Sequence, residues 1–273
     1  MKRLILLFLL SPFGLYANWT VLDRRDQPVL DGKLTASEFR VRSGGAEAEI
    51  DLVYFAAADA KLEVVANTDG KIRGLQEVIE ASGGLAGING GYFDENLDPV
   101  GLLISNDRVI HVLQRAELLS GIFYVKNRRP LLVRTTEFVG TKGIHQAIQC
   151  GPFLVDGGRT VAGLDHRRVA ARTFIFSCGP SDWGFGICRS VTLKEMGDIL
   201  TQATMVPAHH INRALNFDGG SSTTFYARAG GQTIFSEGRT AVSNYLIAKA
   251  NHQESARFTD PSAMPMSNNS SPK

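Results

Sequence analysis

Cysteine is scarce: the chain has three, Cys150, Cys178 and Cys188, and no CxxC pair. That excludes the usual structural zinc sites. An odd count leaves at least one thiol without a partner in the chain. Two readings stay open for the others: a disulfide, best placed at Cys178–Cys188 around the GPSDWGFGI loop, or buried free thiols. Surplus charge is also missing, with a formal net charge of +2 over 273 residues. The electrostatic footprint of a nucleic-acid binder is therefore absent, and HRR at 166–168 is a local basic cluster. Long apolar runs are lacking too. The run at 4–10 is too short to span a bilayer. With Lys2 and Arg3 before it and the small Ala17 after it, it predicts a signal peptide over 1–17. The expected location is periplasmic or secreted, with no transmembrane anchor once the signal is removed. Removal takes away two cations and no acid, which brings the formal charge to zero.

Familiar catalytic signatures are absent as well. There is no P-loop, no GxGxxG and no GxSxG, and DGGSS lacks the flanks of a nucleophile elbow. HExxH is missing, and His209 and His210 are neighbours that rarely share one metal ion. The sequence requires no cofactor. Clustered Asp and Asn oxygens could hold Ca²⁺ or Mg²⁺, although no ligand spacing demands either.

What is present is a well-filled body, since hydrophobic residues make up 44% of the chain and exclude disorder. Residues 18–250 read as one domain, and the polar, Pro- and Ser-rich stretch at 251–273 reads as a flexible tail. Strand signals dominate the body: EFRVR (38–42), EIDLVYFAA (49–57), KLEVVAN (61–67), LLSGIFYV (118–125), RTFIFSC (172–178) and WGFGIC (183–188). Two helices are predicted, GLQEVIEASGG (74–84) and VTLKEMGDILTQA (191–203). In the second, Thr192 and Glu195 have the spacing of a capping box. Strands outnumber helices without regular alternation, so the class is α+β with a mixed, largely antiparallel sheet.

One internal correspondence bears on function. Each helix precedes an apolar strand that ends in an oxygen-bearing side chain and two glycines, Asn89-Gly90-Gly91 and Asp218-Gly219-Gly220. These are two loosely similar halves. Glycine pairs let the backbone approach a ligand closely, and successive free N–H groups can form an anion nest. Ser221 and Ser222 add hydroxyls directly after the second pair. Arg172-Thr173, at the start of a predicted strand, supplies a guanidinium fork suited to phosphate.

GINGGYFD, QCGPFLVDGG, ARTFIF, LNFDGGSSTTFY and AVSNYLI, in this order, resemble the phosphodiester glycosidase family. The chain departs from that pattern at Ser221, where many members carry a further glycine, and at Cys150, where a small residue is usual. The resemblance implies an exported hydrolase that cleaves a glycosyl phosphodiester into free sugar and a phosphomonoester. The alternative is a non-catalytic carbohydrate- or phosphate-binding module of the same fold. On this reading Asp218, Asp94 and Glu237 are the candidate catalytic carboxylates. Arg172, Thr173 and the backbone of Gly219, Gly220, Ser221 and Ser222 would hold the phosphate. Gly90 and Gly91 would shape the facing wall, Asn89 and Asn244 would meet sugar hydroxyls, and Tyr92 would lie under the sugar ring.

Overall fold

The structure is a computed structural model that describes residues 18–67, 72–207, 209–229 and 231–251. The expected signal peptide over 1–17, and the expected tail from residue 252 onward, lie outside the described residues.

Four strands come first: β1 (Thr20–Val29), β2 (Leu34–Ser43), β3 (Ala46–Ala56) and β4 (Ala60–Ala66). Helix α1 (Leu75–Ser82) then leads into the short, fully buried β5 (Ala86–Asn89). Next come β6 (Leu103–Ser105), β7 (Arg108–His111), β8 (Gly121–Lys126), β9 (Arg129–Arg134) and β10 (Ile144–Cys150). They are followed by β11 (Phe153–Asp156), β12 (Arg159–Thr160), β13 (Ala170–Ser177) and β14 (Asp182–Val191). Helix α2 (Leu193–Gln202) leads into β15 (Arg213–Asn216), and β16 (Phe225–Ala229), β17 (Gln232–Ser236) and β18 (Asn244–Ala250) follow.

These strands form three sheets: an eight-stranded sheet ordered β1-β2-β3-β14-β13-β15-β11-β12, and five-stranded sheets ordered β7-β6-β10-β8-β9 and β17-β16-β5-β18-β4. The pairings among the described strands are antiparallel. The α+β class and its antiparallel character are therefore as expected. All three sheets bury side chains in one core, in which Val53, Ile88, Phe123, Ile148, Phe217 and Leu246 belong to the same cluster. Sheets packed face to face in this way share a single apolar interior, which makes one domain.

The helices form where the sequence signals them. The Thr192 hydroxyl accepts the Glu195 N–H at 3.1 Å, and the Glu195 carboxylate accepts the Thr192 N–H at 2.8 Å. This closed capping box satisfies two of the end donors that a helix leaves unpaired. Met196, Ile199 and Leu200 then bury one face of α2 in a second cluster beside Leu154 and Phe174. The two helix–strand units differ in their surroundings: β5 belongs to a five-stranded sheet and β15 to the eight-stranded one.

The Cys178–Cys188 option is corrected here, because both are free thiols. In the β13–β14 hairpin Cys188 pairs with Arg172, whereas Cys178 lies just past Ser177 at the turn end. Six residues of strand separate the two levels, roughly 20 Å at strand rise. A disulfide needs Cα atoms within about 7 Å. Burial pushes the Cys178 thiol up to about 12. Alkylation after denaturation without reductant should therefore label all three cysteines, as read by intact mass; a thiol that labels only after reduction would contradict this pairing.

Candidate active site

The two glycine-containing strand ends, far apart in sequence, meet in space. The Asp218 N–H donates to the Gly90 carbonyl at 3.0 Å. In return the Asn89 amide Nδ2 donates to the Asp218 carbonyl at 2.7 Å. The Asn89 Oδ1 also accepts the Thr173 hydroxyl at 2.8 Å and the Thr224 N–H at 3.1 Å. Asn89 is 0% exposed, so one side chain ties β5 to β13 and to both sides of the Asp218 bend. Satisfying a buried amide at this many points makes the arrangement rigid.

Glycine is needed because the strands come this close. A Cβ at Gly90 would overlap the Asn244 Oδ1, and one at Gly219 would stand 2.6 Å from the Ala171 carbonyl. Gly220 has φ +67 in the left-handed region, where a side chain is strained. The Gly90 N–H donates to the Asn244 carbonyl at 2.8 Å, and the Gly91 N–H donates to the Asn244 Oδ1 at 2.9 Å.

Two expected ligand contacts, Asn89 and Thr173, are corrected by this geometry. Asn89, Thr173 and Asn244 are all buried, at no more than 1% exposed; Asn89 and Thr173 bond to each other, and Asn244 bonds the Gly91 N–H through Oδ1 while its buried Nδ2 has no partner among the described residues. They form the frame of the site. Tyr92 is half-buried, and its hydroxyl donates to the Gly151 carbonyl at 2.6 Å and accepts the Asn216 Nδ2 at 3.2 Å, which fixes the position of its ring. Burial pushes this phenol well above its ordinary value, so it stays neutral and braces the site wall.

Asp218 is half-buried. Its Oδ1 accepts the Gly219 N–H at 2.9 Å. Burial raises its pKa; the Ser222 hydroxyl, the Gly219 N–H and the Arg168 charge pull the other way. Arg172 is 8% exposed, with Nε donating to the Val191 carbonyl at 3.1 Å and a terminal nitrogen donating to the Arg168 carbonyl. Among the described residues it pairs with no carboxylate. Burial, followed by the neighbouring Arg168 charge, pushes its pKa down. A buried cation held by carbonyls alone favours an anion from outside. Arg168 is the residue that the sequence reading left out; HRR was the available signal.

The other two carboxylates are placed elsewhere. Asp94 is exposed, and its Oδ1 accepts the Asn96 N–H at 2.9 Å and the Asp98 N–H at 3.0 Å, which fits a turn-capping role. Glu237 is exposed on the wall of a separate groove of about 460 Å³. Among the described residues, no three His, Cys, Asp or Glu side chains gather as metal ligands would. Gly219, Gly220, Ser221 and Ser222 wrap the Asp218 carboxylate, with Gly220–Ser222 forming a 3-10 turn.

The fold is thus an antiparallel α+β domain whose two glycine bends meet beside a half-buried carboxylate. The chain belongs to the phosphodiester glycosidase family, whose sequence model matches residues 82–249. The catalytic domain of zebrafish N-acetylglucosamine-1-phosphodiester alpha-N-acetylglucosaminidase, solved auto-inhibited by its pro-peptide, superposes with a TM-score of 0.59 at 14% identity. That match covers 83% of this chain and 87% of that one. A hypothetical protein from Synechocystis gives 0.55 at 16% identity, over 86% of this chain and 68% of that one. At these identities the likeness is one of fold. The uncharacterized protein YigE of Escherichia coli K12 is 35% identical over 78 residues, 26% of this chain and 31% of that protein. The matched stretch is thus under a third of that relative's length.

The raised pKa of Asp218 has a consequence for stability. Its folded value lies above its unfolded value, so the ionised form opposes folding and stability falls as pH rises through that window. Asp218→Asn should therefore raise the melting temperature at pH 7. The gain should shrink towards zero as pH falls below about 3.9, the unfolded carboxyl value. Thermal unfolding of both proteins across pH checks the sign.

Proposed function

We propose that the protein is an exported hydrolase of glycosyl phosphodiesters. Water attacks the anomeric carbon and the bond from that carbon to the phosphate oxygen breaks. The sugar leaves as a free hemiacetal, and the phosphate, with its other alcohol still attached, leaves as a phosphomonoester. The bond electrons stay on the phosphate oxygen, and the water proton passes to a carboxylate or to the departing phosphate. A phosphomonoester is a good leaving group, so this chemistry needs control of charge more than a strong general acid.

The observation that carries the proposal is the half-buried Asp218 carboxylate, held by the Ser222 hydroxyl and the Gly219 N–H within the field of Arg168, whose carbonyl in turn holds the buried Arg172 guanidinium. In the proposal Arg172 and Arg168 neutralise the phosphate. The N–H groups of the Gly219–Ser222 turn contribute dipoles. Asp218 activates the water or stabilises the oxocarbenium-like transition state, and burial raises its pKa in the direction that favours accepting a proton. A simple phosphate-binding module would gain nothing from a carboxylate here, because it repels the ligand. Export rests on the cationic and apolar pattern of residues 2–10, and predicts a mature chain that starts at Asn18 by N-terminal sequencing.

Purified protein incubated with a panel of sugar-1-phosphodiesters should release reducing sugar. Asp218→Asn should lower kcat by about 100-fold or more, the range for loss of a general acid–base group, and leave the far-UV spectrum unchanged. Full activity in that variant would remove Asp218 from catalysis. Binding without turnover of any member of the panel would favour the non-catalytic module.

A further inference from the structure

Three large apolar side chains are left open to solvent close to Tyr92. Val100 is 40% exposed, Val112 61% and Leu118 53%. Single exposed apolar residues are ordinary on a surface, but these three are held together. Their loops hang from one buried side-chain amide, that of Gln149. Its Oε1 accepts the Leu102 N–H at 2.9 Å and the Gln114 N–H at 3.0 Å. Its Nε2 donates to the Gln114 carbonyl at 2.6 Å and to the Leu119 carbonyl at 3.2 Å. Each of the three apolar residues is thus one or two positions from a group bonded to that amide. A buried amide satisfied in this way fixes the loops, so the patch needs little ordering when it meets a ligand.

The patch adjoins the Asp218 bend through Tyr92. The chain after Phe93 folds back to pair at Pro99, and the Val100 N–H then donates to the Tyr92 carbonyl at 3.0 Å. The Leu118 carbonyl packs against Gly151, where a Cβ would overlap it. The Gly151 carbonyl in turn takes both the Tyr92 hydroxyl and the Asn216 Nδ2. Val100 therefore stands at the backbone end of Tyr92 and Leu118 at its hydroxyl end. Both ends lead to the bend: Gly90, whose carbonyl takes the Asp218 N–H, is two residues before Tyr92, and Asn216 is two residues before Asp218. The Tyr92 phenol is also close enough to feel the charges of Asp218 and Arg172.

We propose that this apolar rim receives the alcohol side of the substrate, and that the alcohol is an alkyl or isoprenyl chain. The proposal rests on the glycosyl phosphodiester reading above. The two substituents of the phosphate ask for different surroundings. A sugar brings hydroxyls that must exchange water for protein donors and acceptors, and valine and leucine side chains offer neither. A hydrocarbon chain gains by covering them, because both surfaces leave water. Val100, Val112 and Leu118 therefore suit the substituent that carries no hydroxyls.

Calorimetry on the purified protein with decyl phosphate and with methyl phosphate, below the concentration at which the decyl ester forms micelles, tests the rim apart from turnover. Decyl phosphate should bind about ten-fold more tightly, the effect of roughly two methylenes leaving water. Leu118→Ser and Val112→Ser should each lower that advantage about four-fold, the scale of one methylene. Val139→Ser, at an exposed valine outside the rim, should leave it intact. In turnover, the decyl ester of a glycosyl phosphate that the protein cleaves should have a kcat/KM about ten-fold above that of the methyl ester, and Leu118→Ser should shrink that ratio. Equal binding of the two phosphates, or an advantage that survives both substitutions, overturns the rim and leaves the hydrolase reading standing. Leu118-dependent sedimentation with phosphatidylcholine vesicles, without any preference for decyl phosphate, overturns it in favour of a membrane contact. Leu118-dependent binding of decyl phosphate with no turnover of any ester overturns the hydrolase reading and leaves an alkyl-phosphate site.

Discussion

The site depends on the side-chain amide of Asn89. It lies at the end of β5, fully enclosed, and holds the Thr173 hydroxyl, the Thr224 N–H and the Asp218 carbonyl at once. These groups come from separate elements: β13, the chain entering β16, and the bend after β15. A single amide has both donor and acceptor, so it can brace a donor-rich strand and an acceptor carbonyl together. Losing such a buried hub would leave several polar groups unpaired, at roughly 1–3 kcal/mol each. The position of the Asp218 carboxylate follows from that brace.

Close approach and charge build on it. Gly90 and Gly219 have neighbours where a Cβ would have to be, so each bend can pack against its neighbouring strand, at Asn244 and at Ala171, only as glycine. Their contact encloses Asp218 enough to raise its pKa, while Ser222 and the Gly219 N–H keep an ionised form accessible. Arg172 is enclosed by the same packing and is held by carbonyls. The result is a carboxylate within the field of Arg168, and a second guanidinium, Arg172, held by the Arg168 and Val191 carbonyls. A pair joined directly would neutralise itself; kept apart, each retains its charge for a substrate. The same Ser221–Ser222 turn anchors the loop at 237–242 through the Arg239 N–H, which donates to the Ser221 carbonyl.

Much of the fold was legible because its signals are local. The Thr192–Glu195 spacing closes as a capping box, and the apolar segments EIDLVYFAA and RTFIFSC are strands. Short strands such as β6 and β12 were not legible, since three or two residues carry no measurable periodicity. The sequence left the cysteines open between a disulfide and free thiols for a related reason. Ten residues separate Cys178 from Cys188 in sequence, but a hairpin runs between them and places them at different levels of one strand pair.

The sequence by itself determined the family, the antiparallel α+β class and the two glycine bends, because these depend on residue type and near-neighbour order. It also singled out Asp218 and Arg172, whose types suit phosphodiester chemistry. Only the tertiary structure decided which polar residues face inward. Asn89 and Thr173 are 84 residues apart, and nothing local to either says that they bond to each other and so cannot bond to a ligand. It likewise moved Asp94 to a turn and Glu237 to a neighbouring groove, and brought in Arg168. Side-chain direction depends on which distant strand packs alongside, and that is settled only when the three sheets close on one core.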